Sequence, residues 1–141
     1  MDSEGPVPMI FEGGGSLYVI FWALLEDGAG EDIYTIKFNG VSQYKFGTPN
    51  DENITGHPYH SLGLGRYAFY EVLHSDWTKG LKKINSGHSK FDERTWDKKR
   101  HFIITFRDET FECVADSFEI NQEKNSVEQK FLDLVHQYIL P

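Results

Sequence analysis

Two hydrophobic periods run along this chain, and they predict two kinds of element. Leu17 to Leu25 is an unbroken apolar run of nine residues, rich in aromatic and β-branched side chains. Nine residues with no cap predict a strand buried on both faces. Ile33 to Phe38 alternates, with Tyr34, Ile36 and Phe38 on one side, and Val41 to Phe46 follows after Asn39-Gly40. Asn-Gly between two such runs predicts a hairpin, because both central residues of a type I′ turn need positive φ. His101 to Phe106 and Thr110 to Ala115 predict a second hairpin around Arg107-Asp108-Glu109-Thr110. Pairing Phe106 with Phe111 sets Ile104 opposite Cys113 and Phe102 opposite Ala115, which makes one face wholly apolar. Tyr67 to Leu73 reads as a further strand, and Met9-Ile10-Phe11 as a short one.

The helical period appears twice. Ser75 offers an N-cap oxygen and Asp76 a negative charge in the first turn. Trp77, Leu81, Ile84 and His88 follow at helical spacing, with Lys79, Lys82 and Lys83 on the other side and Gly87 placed to end the helix. Asn125 with Glu128, or Ser126 with Gln129, forms a capping box. Val127, Phe131, Leu134, Val135, Tyr138 and Ile139 then make the clearest apolar stripe in the chain. No βαβ alternation is present. The expected fold is α+β, a mainly antiparallel sheet built from hairpins with two amphipathic helices packed on it. Residues 1–16, with two prolines and Gly13-Gly14-Gly15, read as a flexible lead-in, and 17–141 as a single domain. Residues 47–66, with four glycines and two prolines, read as a long loop.

Composition narrows the class. A chain of 141 residues with 39% hydrophobic and 15% aromatic residues can bury enough surface to fold without metal or disulfide. The single cysteine, Cys113, cannot form an internal disulfide, which fits a reducing compartment. It sits mid-strand and reads as a buried, inert thiol. The acidic start Met1-Asp2-Ser3-Glu4 is unlike a secretory leader, and a nine-residue apolar run is too short to span a bilayer. The expectation is a cytoplasmic protein without membrane association. The net charge of −8 disfavours nucleic acid and anionic membranes. Against that background residues 79–100 stand out, with eight bases and three acids, and with Phe91 and Trp96 among them. A solvated helix face, an acidic protein partner and a nucleic-acid surface all fit this stretch.

Candidate chemistry centres on the long loop. His57-Pro58-Tyr59-His60 follows Asp51 and Glu52. Imidazole with carboxylate suits a divalent metal, so His57 and His60 are the candidate ligands, with Asp51 or Glu52 beside them. The HExxH pattern is absent. His74 and His88 bracket the first helix, and His88 near its C-terminus complements the dipole when protonated. No G-x-S-x-G elbow occurs. Gly63-Leu64-Gly65 lacks the third glycine and the following helix of a phosphate loop. No cofactor is indicated.

Several segments carry a resemblance. Phe46-Gly47-Thr48-Pro49-Asn50-Asp51-Glu52, Gly56-His57-Pro58, Tyr70-Glu71-Val72-Leu73, Ser75-Asp76-Trp77 and His101 through Cys113 are similar to a family of small uncharacterised bacterial proteins. The resemblance spans residues 33–116. It implies a bacterial origin and no particular activity. Three expectations follow, in order. The first is a non-catalytic binding module with a protein partner, suggested by the aromatics and the missing catalytic signatures. The second is a small metal-dependent hydrolase using His57 and His60. The third is a nucleic-acid binder through residues 79–100.

Overall fold

The alternating strands sort into two antiparallel sheets of four strands each. The computed structural model describes residues 8–24, 31–65 and 68–139, and the side chains of all these except Ala23, Leu24, Glu31 and Asp51. In chain order the strands are β1 (Met9–Gly13), β2 (Ser16–Leu24), β3 (Glu31–Asn39), β4 (Gln43–Gly47), β5 (Phe69–Val72), β6 (Arg100–Thr105), β7 (Thr110–Ala115) and β8 (Ser117–Glu123). The helices are α1 (Asp76–Asn85), α2 (Glu93–Asp97) and α3 (Val127–Tyr138). One sheet runs β1-β2-β3-β8 and the other β4-β7-β6-β5. The fold is therefore α+β and mainly sheet. No helix among the described residues is long and apolar enough to cross a membrane.

The core lies between the sheets. Leu17, Val19, Ile36 and Phe38 meet Phe102, Ile104, Phe111 and Cys113, all buried. The Phe38 ring centroid lies 5.5 Å from those of both Phe102 and Phe111. Strand β2 is apolar throughout because its other face is also covered: Tyr18 and Ile20 pack with Val127 and Leu134 of α3. Of the predicted capping box, the N-cap bond forms at Ser126, whose Oγ accepts Gln129 N–H at 3.1 Å, while the Gln129 side chain donates to Asp133 at 2.9 Å. On the far side of the second sheet, Ile103 is covered by Ile54 and Leu64. These come from the 47–66 segment, which forms 3-10 turns at Asp51–Gly56 and His60–Leu62 instead of an irregular loop. Strand β1 pairs with β2 along its length, so the sheet takes in part of the span read as a lead-in. Residues 1–7 and 25–30 lie outside the described residues.

The Asn39-Gly40 hairpin does not form. Gly40 has the expected positive φ of 65°, but β3 pairs with β8 and β4 with β7. The chain uses this corner to pass from one sheet to the other, and β7–β8 makes the same passage beside it. Asp116 N–H donates to Asn39 O, and Ser42 N–H to Val114 O, both at 2.8 Å. Between the pairs Asn39↔Ser117 and Gln43↔Val114 lie three residues on one strand and two on the other. That is a bulge, a common device for bending strands between sheets. Lys99 fastens it: its Nζ donates to Gly40 O at 2.8 Å and pairs with Asp116 at 3.0 Å. A local turn signal gives way here because two long-range ladders bury far more surface.

The second hairpin forms, with its register moved by two residues. Phe102 faces Cys113, Ile104 faces Phe111, and Thr105 faces Thr110. A slip of two returns every side chain to the same face, so hydrophobic alternation cannot distinguish the two registers. The turn decides, with Phe106 N–H donating to Glu109 O at 2.9 Å. Strand β8 and helix α2 have no counterpart among the predicted elements. Strand β8 is a polar, largely exposed edge, and α2 is a five-residue helix capped by Asp92.

Candidate functional site

The inward set of the second sheet fixes its outward set. With Phe102, Phe111 and Cys113 turned to the core, His101 on β6 and Glu112 on β7 project from the opposite face. His57 arrives there from the first 3-10 turn, of which it is the C-cap. Ser75 arrives as the N-cap of α1, directly after His74, which holds a left-handed φ of 55°. Four segments distant in sequence thus meet over one patch of sheet.

Their hydrogen bonds form a single chain. Tyr59 N–H donates to His57 Nδ1 at 3.1 Å, which leaves the His57 proton on Nε2. That Nε2–H donates to Glu112 Oε2 at 3.1 Å. His101 Nε2–H donates to the other oxygen, Oε1, at 2.9 Å. With its proton on Nε2, His101 presents Nδ1 to the Ser75 hydroxyl at 2.8 Å. Ser75 Oγ in turn accepts Thr78 N–H at 3.2 Å, the helix cap. Burial alone would raise the Glu112 carboxyl, but the hydrogen bonds from His101 and His57 outweigh it and hold the group below its ordinary value. His101 is 1% exposed and is boxed by ring edges, with Trp77 at 5.0 Å and Tyr59 at 5.7 Å between centroids. Lys45, opposite Glu112 on β4, lies over the Trp77 ring at 4.1 Å.

Two clefts adjoin this cluster. One, of about 480 Å³, is lined by Ser75, Thr78, Lys79 and His101, and reaches the turn after β5 and the start of β6. The other, of about 260 Å³, lies between β5 and the second 3-10 turn, with Tyr59, Leu62, Leu64 and Ile103 in its wall. They share Glu71, Val72 and Leu73.

The predicted site residues are dispersed. His57 is buried on Glu112, whereas Glu52, His60 and His88 are exposed. The Asp51 side chain lies outside the described residues. His74 is exposed on the wall of the larger cleft. Among the described residues no group of three His, Cys, Asp or Glu side chains is arranged to hold a metal ion. Cys113 is buried, and burial pushes its thiol well above the ordinary range. In the basic stretch, Lys82 pairs with Glu93 and Asp97, Lys99 with Asp116, and Arg100 with Glu71. Ser75, His101 and Glu112 were not among the sequence candidates. The two-residue register error moves Glu112 along β7 away from His101, and a serine reads simply as a helix cap. No family model, curated protein or solved structure matches the chain.

Proposed function

We propose that the protein is a binding module that takes an extended segment of a protein partner along β5. The observation that carries this reading is the free edge of that strand. Strand β5 ends its sheet and pairs only with β6 among the described strands. Thr105 N–H donates to Ala68 O at 2.9 Å. Antiparallel alternation then turns the backbone groups of Tyr70 and Val72 toward β6, and those of Phe69 and Glu71 outward. An incoming strand would pair with those outward groups, while side-chain pockets supply selectivity. The two clefts flank β5 where such pockets are needed. Leu62 and Leu73, on the walls of the smaller cleft, are 78% and 73% exposed, an apolar lining suited to an apolar partner side chain.

The other readings have less support. His57 Nε2 is committed to Glu112 and His60 lies at the surface, so the pair does not converge. Three of the eight bases of the basic stretch, Lys82, Lys99 and Arg100, are held in ion pairs, which lessens its pull on phosphates.

Selection of a displayed random-peptide library against the purified chain tests the proposal. Enriched peptides are expected to carry an apolar anchor and to lose at least ~10-fold in affinity against Leu73→Asp or Leu62→Asp, about 1.4 kcal/mol. Failure to enrich any peptide, or binding to both variants as tight as to the native chain, overturns it.

A further inference from the structure

We infer that Ser75 is an acyl-accepting nucleophile, activated by His101 and held in line by Glu112, acting on carboxylic esters in the larger cleft. The inference goes beyond binding at β5 and stands or falls separately from it.

The geometry has the parts that nucleophilic catalysis requires. A weak nucleophile needs a base within hydrogen-bond reach, and the base needs a third group to orient it. Ser75 Oγ and His101 Nδ1 are 2.8 Å apart, and His101 Nε2 and Glu112 Oε1 are 2.9 Å apart. The ring nitrogens are used in the reverse order from the familiar serine-protease arrangement, but the chemistry needs only one lone pair toward the hydroxyl and one N–H toward the acid. Glu112 serves a second purpose here. As an anion it compensates the imidazolium that forms when His101 takes the serine proton. His57 and its bond to Tyr59 N–H keep that carboxylate fixed.

The position of Ser75 also fits. It follows strand β5 through the left-handed residue His74 and opens the ten-residue helix α1. Asp76 and Trp77 lie in the first turn of that helix, where backbone N–H groups have no acceptor within the helix. Negative charge developing beside Ser75 therefore meets the positive end of α1. Ser75 is only 5% exposed, yet both it and His101 line the larger cleft. Ser75 Oγ accepts Thr78 N–H in the cap, turns its hydroxyl proton to His101 in the relay, and also meets the Tyr59 hydroxyl.

The step balances. Ser75 Oγ bonds to the ester carbonyl carbon as its proton passes to His101 Nδ1. The ester C–O bond breaks, and the alcohol leaves with that proton. Water then attacks the acyl-serine, gives one proton through His101 back to Ser75 Oγ, and releases the acid. Glu112 remains a carboxylate throughout.

An alkyl fluorophosphonate, which forms an Oγ–P bond and expels fluoride, probes the nucleophile directly. Intact mass of the full chain is expected to show one adduct, mapped to Ser75. Ser75→Asn, which keeps a capping oxygen, should lose both the adduct and the hydrolysis of p-nitrophenyl butyrate. Glu112→Gln should slow labelling by at least ~10-fold and move its pH profile, as expected of a positioning residue. Circular dichroism confirms that each variant is folded. Three results would overturn the inference: no adduct on the folded chain, an adduct that persists in Ser75→Asn, or ester turnover unchanged in that variant. Peptide binding by Ser75→Asn, measured alongside, separates failure of this inference from failure of the binding proposal.

Discussion

Replacing Glu112 with alanine removes the acceptor shared by two buried imidazole N–H groups. His57 is 4% exposed at its side chain and His101 is 1% exposed, so neither reaches bulk water easily once Glu112 is gone. Each buried donor left unpaired costs about 1–3 kcal/mol. Two such donors give roughly 2–6 kcal/mol, with about 4 kcal/mol as the central expectation. The cost falls on the attachment of the 3-10 segment to the sheet, because His57 belongs to that segment and His101 to β6. Urea unfolding read by tryptophan fluorescence measures it. With a slope of about 2 kcal/mol/M, the midpoint should fall by roughly 2 M. Glu112→Gln keeps the volume and one acceptor oxygen but sets its NH₂ against the other imidazole N–H, so about half that loss is expected. A midpoint shift below ~0.5 M for Glu112→Ala would refute the reasoning, since it would mean that the two N–H groups find other acceptors at little cost.

Two further predictions concern stability. The Glu112 carboxyl sits below its ordinary value of 4.5 in the folded chain. The unfolded chain therefore takes up that proton first as pH falls. Its stabilising contribution is complete above 4.5 and is lost as pH drops through the lower folded value. Thermal melts between about pH 6 and pH 3 should fall more steeply for the native chain than for Glu112→Gln, and parallel curves would contradict this. Gly40→Ala should destabilise by more than ~1 kcal/mol in chemical denaturation, because alanine is strained at this positive φ and its Cβ would collide with the Asp116 side chain. An unchanged midpoint would show that the corner adjusts freely.

Elements whose signal is local were legible in the chain. Ser75 and Ser126 cap α1 and α3 as their sequences predict, because a cap involves atoms only three residues apart. The apolar run of β2, the outline of the second hairpin and the α+β class were legible for a similar reason: burial demands apolar residues at the right period. What could not be read was which strand meets which. Asn39-Gly40 satisfies the requirements of a tight turn, and Gly40 does adopt positive φ, yet the ladders of β8 and β7 draw its flanking strands into different sheets. A polar edge such as β8 leaves no apolar trace to find.

The site illustrates the same division. His57 was identifiable as a histidine in an unusual loop, but the partners that give it a role lie 44 and 55 residues away, at His101 and Glu112. Hydrophobic alternation fixed that His101 and Glu112 point away from the core. Only the turn at Phe106–Glu109 brought them to the register in which both imidazoles share one carboxylate. Sequence by itself determined the residue types, the periods and the caps, since these depend on neighbours along the chain. Tertiary structure decided the sheet order, the register and the Ser75–His101–Glu112–His57 chain. Those depend on long-range pairs whose alternatives leave the hydrophobic pattern unchanged.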